Sequence, residues 1–318
     1  MDCSTDADAG AELQPGQSVT VEVPATSANL GPGFDCFGLA LDWRESIRLE
    51  VGESGYQIDV TGEAADLVPR DESHLILRST LVGLADLGVS APGLRLVGHN
   101  VIPHGRGLGS SSAAIVAGLL AAQTLVGHEP DAAWLLRHAD AIEGHPDNVA
   151  AAIYGGFVLA YDGPHGVTAA RADLASDLAL MVFIPETPVA THATRNVLPE
   201  QVPHADAAAN SGRAALLVHA LAVGNYRLLA DATRDWLHQD YRQRAMPASY
   251  DLLTDLRGHG YAAVISGAGP SVLVLGQDSA MQSLTQVVPR GFRSVRVRPG
   301  EGASAKGQTR RQRPLGVR

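Results

Sequence analysis

In the stretch SVTVEV, apolar and polar positions alternate at Val19, Val21 and Val23, the period of a strand with one buried face. The alternation breaks at Pro24, where the chain turns polar and glycine-rich. Further strands are predicted for SIRLEVG (46–52), YQIDVTG (56–62) and GLRLVGHN (93–100). Before the last of these, DESHLILRSTLVGLADLGV carries apolar residues at helical spacing, from an Asp71 or Ser73 cap to Gly88. From Ser110 to Val126 the chain is small and apolar nearly all round, which predicts a helix buried inside the protein. DAAWLLRHADAIEG (131–144) reads as another helix and GGFVLAYDG (155–163) as a strand.

After residue 170 the pattern restarts with the strand LALMVFIP (178–185) and two helices, NSGRAALLVHALAVGN (210–225) and YRLLADATRDWLHQD (226–240). In ISGAGPSVLVLG (265–276) a glycine loop lies between two strands. Strands and helices interleaved in both halves predict an α+β class with two lobes. The expected organisation is a disordered leader over 1–17, domains over 18–170 and 171–300, and a disordered basic tail over 301–318.

Composition narrows the function. A net charge of −10 argues against nucleic-acid binding, which relies on clustered Lys and Arg. No stretch approaches the ~20 apolar residues of a membrane span, and the first residues are acidic and polar where a secretory signal is basic and then apolar. With only Cys3 and Cys36, no disulfide framework arises, and a cytoplasmic protein is expected. Lysine occurs once, at Lys306, so mechanisms that need a buried lysine drop out.

GRGLGSSSAAIVAGLLAAQTL (105–125) nevertheless has the form of an anion-binding loop. A helix N-terminus gathers unpaired N–H groups, and glycines let an anion approach them, so phosphate needs no lysine there. Gly107, Leu108, Gly109 and Ser110, Ser111 and Ser112 stand where a triphosphate would be wrapped, with hydroxyls for a phosphate-bound magnesium. EGHPDNVAAAIYGG (143–156) adds Glu143 as an oxygen ligand facing those hydroxyls, and the 265–276 loop is suited to closing over a ligand.

PHGRGLGSSSAA (103–114) resembles the phosphate-loop motif of the GHMP small-molecule kinases, and ISGAGPSVLVL resembles that family's third motif. PATSANLGPGFDCFGLAL (24–41) resembles the homoserine-kinase branch in particular, and HPDNVAAAIYGGF (145–157) extends the resemblance. The motifs run in the family's order and the resemblance spans residues 19 to 298. It implies a GHMP kinase fold, with an N-terminal nucleotide-binding lobe of mixed sheet and helices and a ferredoxin-like C-terminal lobe. It also implies an ATP:L-homoserine O-phosphotransferase of threonine biosynthesis that uses ATP and Mg2+. The alternatives are another GHMP kinase or an inactive nucleotide or amino-acid sensor. A homodimer is a further expectation that the resemblance carries.

Position by position, the resemblance puts Pro103, Gly105, Arg106, Gly107, Leu108, Gly109, Ser110, Ser111, Ser112 and Ala113 in the phosphate loop. Ser111, with Ser110 next, joins Glu143 at the metal; Asn29, Asp35, His145, Thr191, Arg195 and Arg242 meet the amino acid; Gly267 and Gly269 close the site. Asn148 stands where relatives such as mevalonate kinase have aspartate, and it orients the hydroxyl. An amide takes no proton at neutral pH, so catalysis is expected from positioning and charge compensation, with Asp147 bracing the loop. His74 falls in the adenine region, while Phe34 and Phe37 read as core.

Overall fold

The structure, a computed structural model, describes residues 11–189, 194–285 and 289–308. Its N-terminal lobe is built on a mixed sheet. The long strands β2 (Ser18–Ala28) and β3 (Phe37–Gly52) pair antiparallel, and β3 pairs onward with β6 (Gly93–Asn100). At the edge, β4 (Gly55–Gly62) runs parallel to β6. The other end of β3 pairs with β7 (Phe157–Gly163), which pairs with β8 (Gly166–Ala172). The alternating valines of β2 are buried as their period requires. Pro24 does not end the strand, because a register shift between Pro24 and Thr26 absorbs the missing donor and pairing resumes through Ala28.

Helices α2 (Ser110–Leu125), α3 (Ala132–Glu143) and α4 (Pro146–Tyr154) lie against this sheet, and α1 (Leu75–Asp86) packs on α2. As its composition predicts, α2 is buried nearly all round. Helix α1 begins beyond the expected cap. Asp71 accepts hydrogen bonds from the Ser73 amide and hydroxyl, and His74 occupies the N-cap without a side-chain bond. In α3, Asp131 caps the amides of Ala133 and Trp134, and Gly144 in the left-handed region ends the helix.

Strand β9 (Leu178–Pro185) opens the C-terminal lobe. Its neighbours β10 (Ala262–Ile265), β11 (Val272–Gln277) and β12 (Phe292–Val297) form with it a fully antiparallel sheet in the order β10, β11, β9, β12. Helices α5 (His204–Val223) and α6 (Pro247–Gly258) lie between β9 and β10 in the chain, and α7 (Asp278–Leu284) between β11 and β12. The strand order 2-3-1-4, with its interleaved helices, is the ferredoxin-like arrangement. Strand β9 is buried along its whole length. Leu178, Leu180, Val182 and Ile184 join the main core, and Ala179, Met181 and Phe183 join a second one with Met246, Leu253 and Ile265.

Two further expectations need correction. The helix predicted over 226–240 is a 3-10 turn at Tyr226–Leu228, a single turn at Leu229–Ala232, and then irregular chain up to a 3-10 segment at Asp240–Ala245. Asp235 causes the break, because its carboxylate accepts from the backbone amides of Leu237 and His238 and offers them an alternative to the helix ladder. The chain ends are also more ordered than expected. Ala11–Glu12 (β1) pairs with Val89–Ser90 (β5), and Ser304–Gln308 (β13) returns to the N-terminal sheet as an edge strand on β2. Within the expected leader and tail, residues 1–10 and 309–318 lie outside the described residues.

Candidate active site

Helix α2 starts at the sheet surface because Gly109 turns the chain with φ of 69° and caps the helix without a side chain. A Cβ on Gly109 would lie 1.9 Å from Thr26 Oγ1, and one on Gly107 2.2 Å from the Ser266 carbonyl oxygen. Only glycine allows both the turn and the close packing. The first amides of α2, which no helical carbonyl satisfies, stay available at the site.

The three motifs are hydrogen-bonded into one wall. The Thr26 amide donates to Leu108 O (3.0 Å), and the Gly267 amide to Ala28 O (3.0 Å). The Asn29 side chain donates to Gly267 O (2.9 Å). Ser266 donates to Gly107 O (2.6 Å) and shares a hydrogen bond with Ser27 (2.8 Å). The cavity they enclose, about 530 Å³ and open to solvent, is lined by Asn29, Gly105, Gly107, Leu108, Gly109, Ser110, Ser111, Ser112, Glu143, His145, Asp147, Asn148, Arg195, Arg242, Gly267 and Ala268.

At one end Ser111 and Ser112 both donate to the same oxygen of Glu143, at 2.5 and 2.8 Å. Glu143 is the last residue of α3, and one glycine later His145 stands at the N-cap of α4, so a tight turn concentrates the polar groups. Asp147, buried in the first turn of α4, accepts from His145 Nδ1 (2.9 Å) and from the Asn148 amide (2.7 Å). Burial pulls the His145 pKa down, but the Asp147 hydrogen bond and the charges of Asp147 and Glu143 outweigh it and hold His145 above its ordinary value. Thr26 donates to Asn148 Oδ1 (2.8 Å), leaving the amide nitrogen as that side chain's donor end. Thr26 is a functional residue that only its place inside the first motif signals in the sequence.

At the other end Arg195 grips Asp35 with two hydrogen bonds, 3.0 and 2.6 Å. That pairing raises the Arg195 pKa. Arg242 is buried, donates to the carbonyls of Thr194 (3.1 Å) and Gly267 (3.2 Å), and is pulled down to about 10 by burial and by the nearby charge of Arg195. The Phe34 ring lies 5.7 Å from each guanidinium. Phe34 therefore packs beside both arginines that line the site, while Phe37 packs edge-on against Phe157 in the core.

Some residues assigned to the site from sequence are turned elsewhere. Arg106 donates to the carbonyls of Pro185, His104 and Glu186, tying the phosphate loop to the end of β9 instead of facing the cavity. Pro103, Ala113 and Gly269 are off the cavity wall, and Asp35 reaches it through Arg195. Thr191 lies outside the described residues. A second cavity of about 650 Å³ shares Ser110 and Ser111 with the first and is lined by Val68, Pro69, His74, Leu75 and Asn100 among others. Buried His74 has no hydrogen-bond partner for either ring nitrogen among the described residues, and burial holds its pKa below the ordinary value.

A glycine loop at a helix N-terminus, a carboxylate on its serines and a charged polar pocket alongside make the site of a small-molecule kinase. The models of the GHMP kinases N terminal domain and GHMP kinases C terminal match residues 74–156 and 217–292. The chain is 52% identical over 261 residues to the homoserine kinase of Streptomyces coelicolor, covering 81% of this chain and 84% of that one. It is 48% identical to the homoserine kinase of Cutibacterium acnes over 290 residues, covering 90% and 98%. The crystal structure of homoserine kinase from Cytophaga hutchinsonii superposes with a TM-score of 0.81 at 29% identity, covering 91% of this chain and 97% of that one. The chain belongs to the GHMP kinase family, in its homoserine kinase branch.

Proposed function

We infer that this chain transfers the γ-phosphoryl group of ATP to the side-chain hydroxyl of L-homoserine, giving ADP and O-phospho-L-homoserine. The observation that carries this reading is a single cavity with phosphate-type donors at one end and the Asp35, Arg195 and Arg242 charges at the other. L-Homoserine is a zwitterion with a free hydroxyl. Its ammonium matches Asp35 and its carboxylate matches the two guanidiniums, so the substrate replaces the internal Asp35–Arg195 pair with two intermolecular ones. Asn148, positioned by Thr26, holds the hydroxyl toward the phosphate loop.

The γ-phosphate lies against the free amides of α2 and the serine hydroxyls, and the purine occupies the cavity beside His74. The Glu143 carboxylate and the Ser111 hydroxyl are hard oxygen donors that fit Mg2+. A magnesium ion held by these two side chains would take water and phosphate oxygens at its other positions. When bound, magnesium neutralises charge across the phosphate oxygens. Asp147 Oδ1 is held by His145 and the Asn148 backbone amide, which fits a bracing role, and the hydroxyl proton passes to a phosphate oxygen or to water. A loose phosphoryl transition state needs positioning more than a base.

Incubation with magnesium-ATP and L-homoserine, followed by 31P NMR and mass analysis, tests the reading. O-Phospho-L-homoserine is the expected product. ATP turnover that leaves L-homoserine unmodified overturns it.

A further inference from the structure

Arg242 and the loop between Asn29 and Asp35 are far apart in sequence, yet one buried side chain touches both. His238 lies in the segment that Asp235 diverts from helix, and no part of it is exposed. Its Nδ1 is 2.8 Å from Arg242 Nη1, and its Nε2 is 2.8 Å from the Gly31 carbonyl oxygen. A guanidinium has only donors, so Nδ1 must accept and Nε2 carries the proton that goes to Gly31. The two contacts thereby fix a neutral ring in one tautomer. A proton on Nδ1 would set N–H against N–H. Burial holds the His238 pKa below its ordinary value, with Asp235 opposing and Arg242 adding to the fall.

Both partners depend on such a hold. Asn29, Leu30 and Asp35 have φ of 67°, 47° and 53°, left-handed backbone that a non-glycine residue keeps only where its surroundings impose it, and Gly31 lies among them. The His238 ring also stacks on Phe34 at 5.3 Å. Among the described residues no carboxylate lies within 4.0 Å of the Arg242 guanidinium, so neutral acceptors place it and its charge is kept for a ligand.

We propose that His238 is a positioning residue for the amino-acid substrate: its neutral ring bridges Arg242 to the Gly31 carbonyl and sets the guanidinium against the Asn29–Asp35 loop. This rests on the carboxylate-binding role given to Arg242 above.

Steady-state kinetics of the full chain carrying His238→Leu or His238→Asn test it. Leucine keeps much of the bulk and removes both bonds; asparagine puts an acceptor oxygen near the Nδ1 position. The expected outcome is a rise of about thirtyfold in KM for L-homoserine with leucine, ~2 kcal/mol at 1.4 kcal/mol per tenfold. Asparagine returns that KM to within about threefold of the parent, and KM for ATP changes less than about twofold in both variants, in keeping with a hydrogen bond to a charged group. An unchanged KM for L-homoserine in folded His238→Leu, or the same rise in both variants, overturns the proposal. If the leucine variant does not fold, His238→Gln replaces it. Its amide reaches the Nε2 position and not Nδ1, so equal KM values for Gln and Asn overturn the bridge.

A parent protein that does not phosphorylate L-homoserine sinks the functional reading instead. The bridge is then read by 15N NMR of histidine-labelled protein, with His238→Asn assigning the signal. A neutral ring protonated at Nε2 supports it, and a charged ring or an Nδ1–H tautomer contradicts it.

Discussion

On the proposed reading, Glu143 serves the phosphate end of the cavity and Arg195 the amino-acid end. Glu143→Gln keeps the size of the side chain that Ser111 and Ser112 reach but removes its charge. Turnover with saturating magnesium-ATP is expected to fall on the order of a hundredfold, while thermal unfolding stays close to the parent's. Turnover within about twofold of the parent would remove Glu143 from the metal role. Arg195→Ala removes both hydrogen bonds to Asp35, and Asp35 is exposed enough to be solvated alone. Titration calorimetry should give L-homoserine affinity reduced by roughly tenfold or more and ATP affinity unaltered; equal weakening of both ligands would contradict the division. Glu143 and the serine run can be singled out from the sequence because a carboxylate and hydroxyls beside a glycine loop suit a metal-bound phosphate, whereas the arginines are picked out only by the family resemblance. Thr26 and His238 stand out less, since each acts on another side chain; Thr26 at least falls inside the first motif, whereas His238 belongs to none.

At the scale of elements, the turn into α2 decides whether the anion site exists. Gly109→Ala puts a Cβ 1.9 Å from Thr26 Oγ1 in backbone that disfavours any L side chain, so the loop must move away from β2. ATP affinity is expected to drop at least tenfold and stability by about 1–3 kcal/mol, the cost of strained backbone. Wild-type ATP affinity in this variant would mean that α2 does not present the phosphate donors. Period-2 valines and the all-apolar helix announced β2 and α2 directly, as their burial bears out. The helix expected over 226–240 failed because apolar spacing alone does not register a carboxylate at Asp235 capturing the following amides. Strand β13 escaped notice for a related reason: its residues are mostly exposed and polar, and only a partner almost the whole chain away makes them a strand.

Across the whole molecule, the site depends on contacts that no local pattern encodes. Asn29 bonds to Gly267, 238 residues later, and Ser266 bonds to Ser27 and Gly107, so the cleft closes only when both lobes are in place. Chain ends contribute to this. Deleting residues 304–318 strips β13 from β2 and bares the edge of the sheet that carries the first motif. The melting temperature is expected to fall by on the order of 5–10 °C, with increased aggregation, since a few backbone hydrogen bonds at ~1 kcal/mol each are lost. An unchanged melting curve would make β13 dispensable. The central claim, one cavity that joins a triphosphate to a zwitterionic amino alcohol, is tested most directly by acceptor selectivity. ADP release should be measured with magnesium-ATP and L-homoserine, mevalonate, galactose, L-serine or no acceptor. Strong stimulation by L-homoserine alone is the predicted result; equal or greater stimulation by mevalonate or galactose would contradict the amino-acid half of the site.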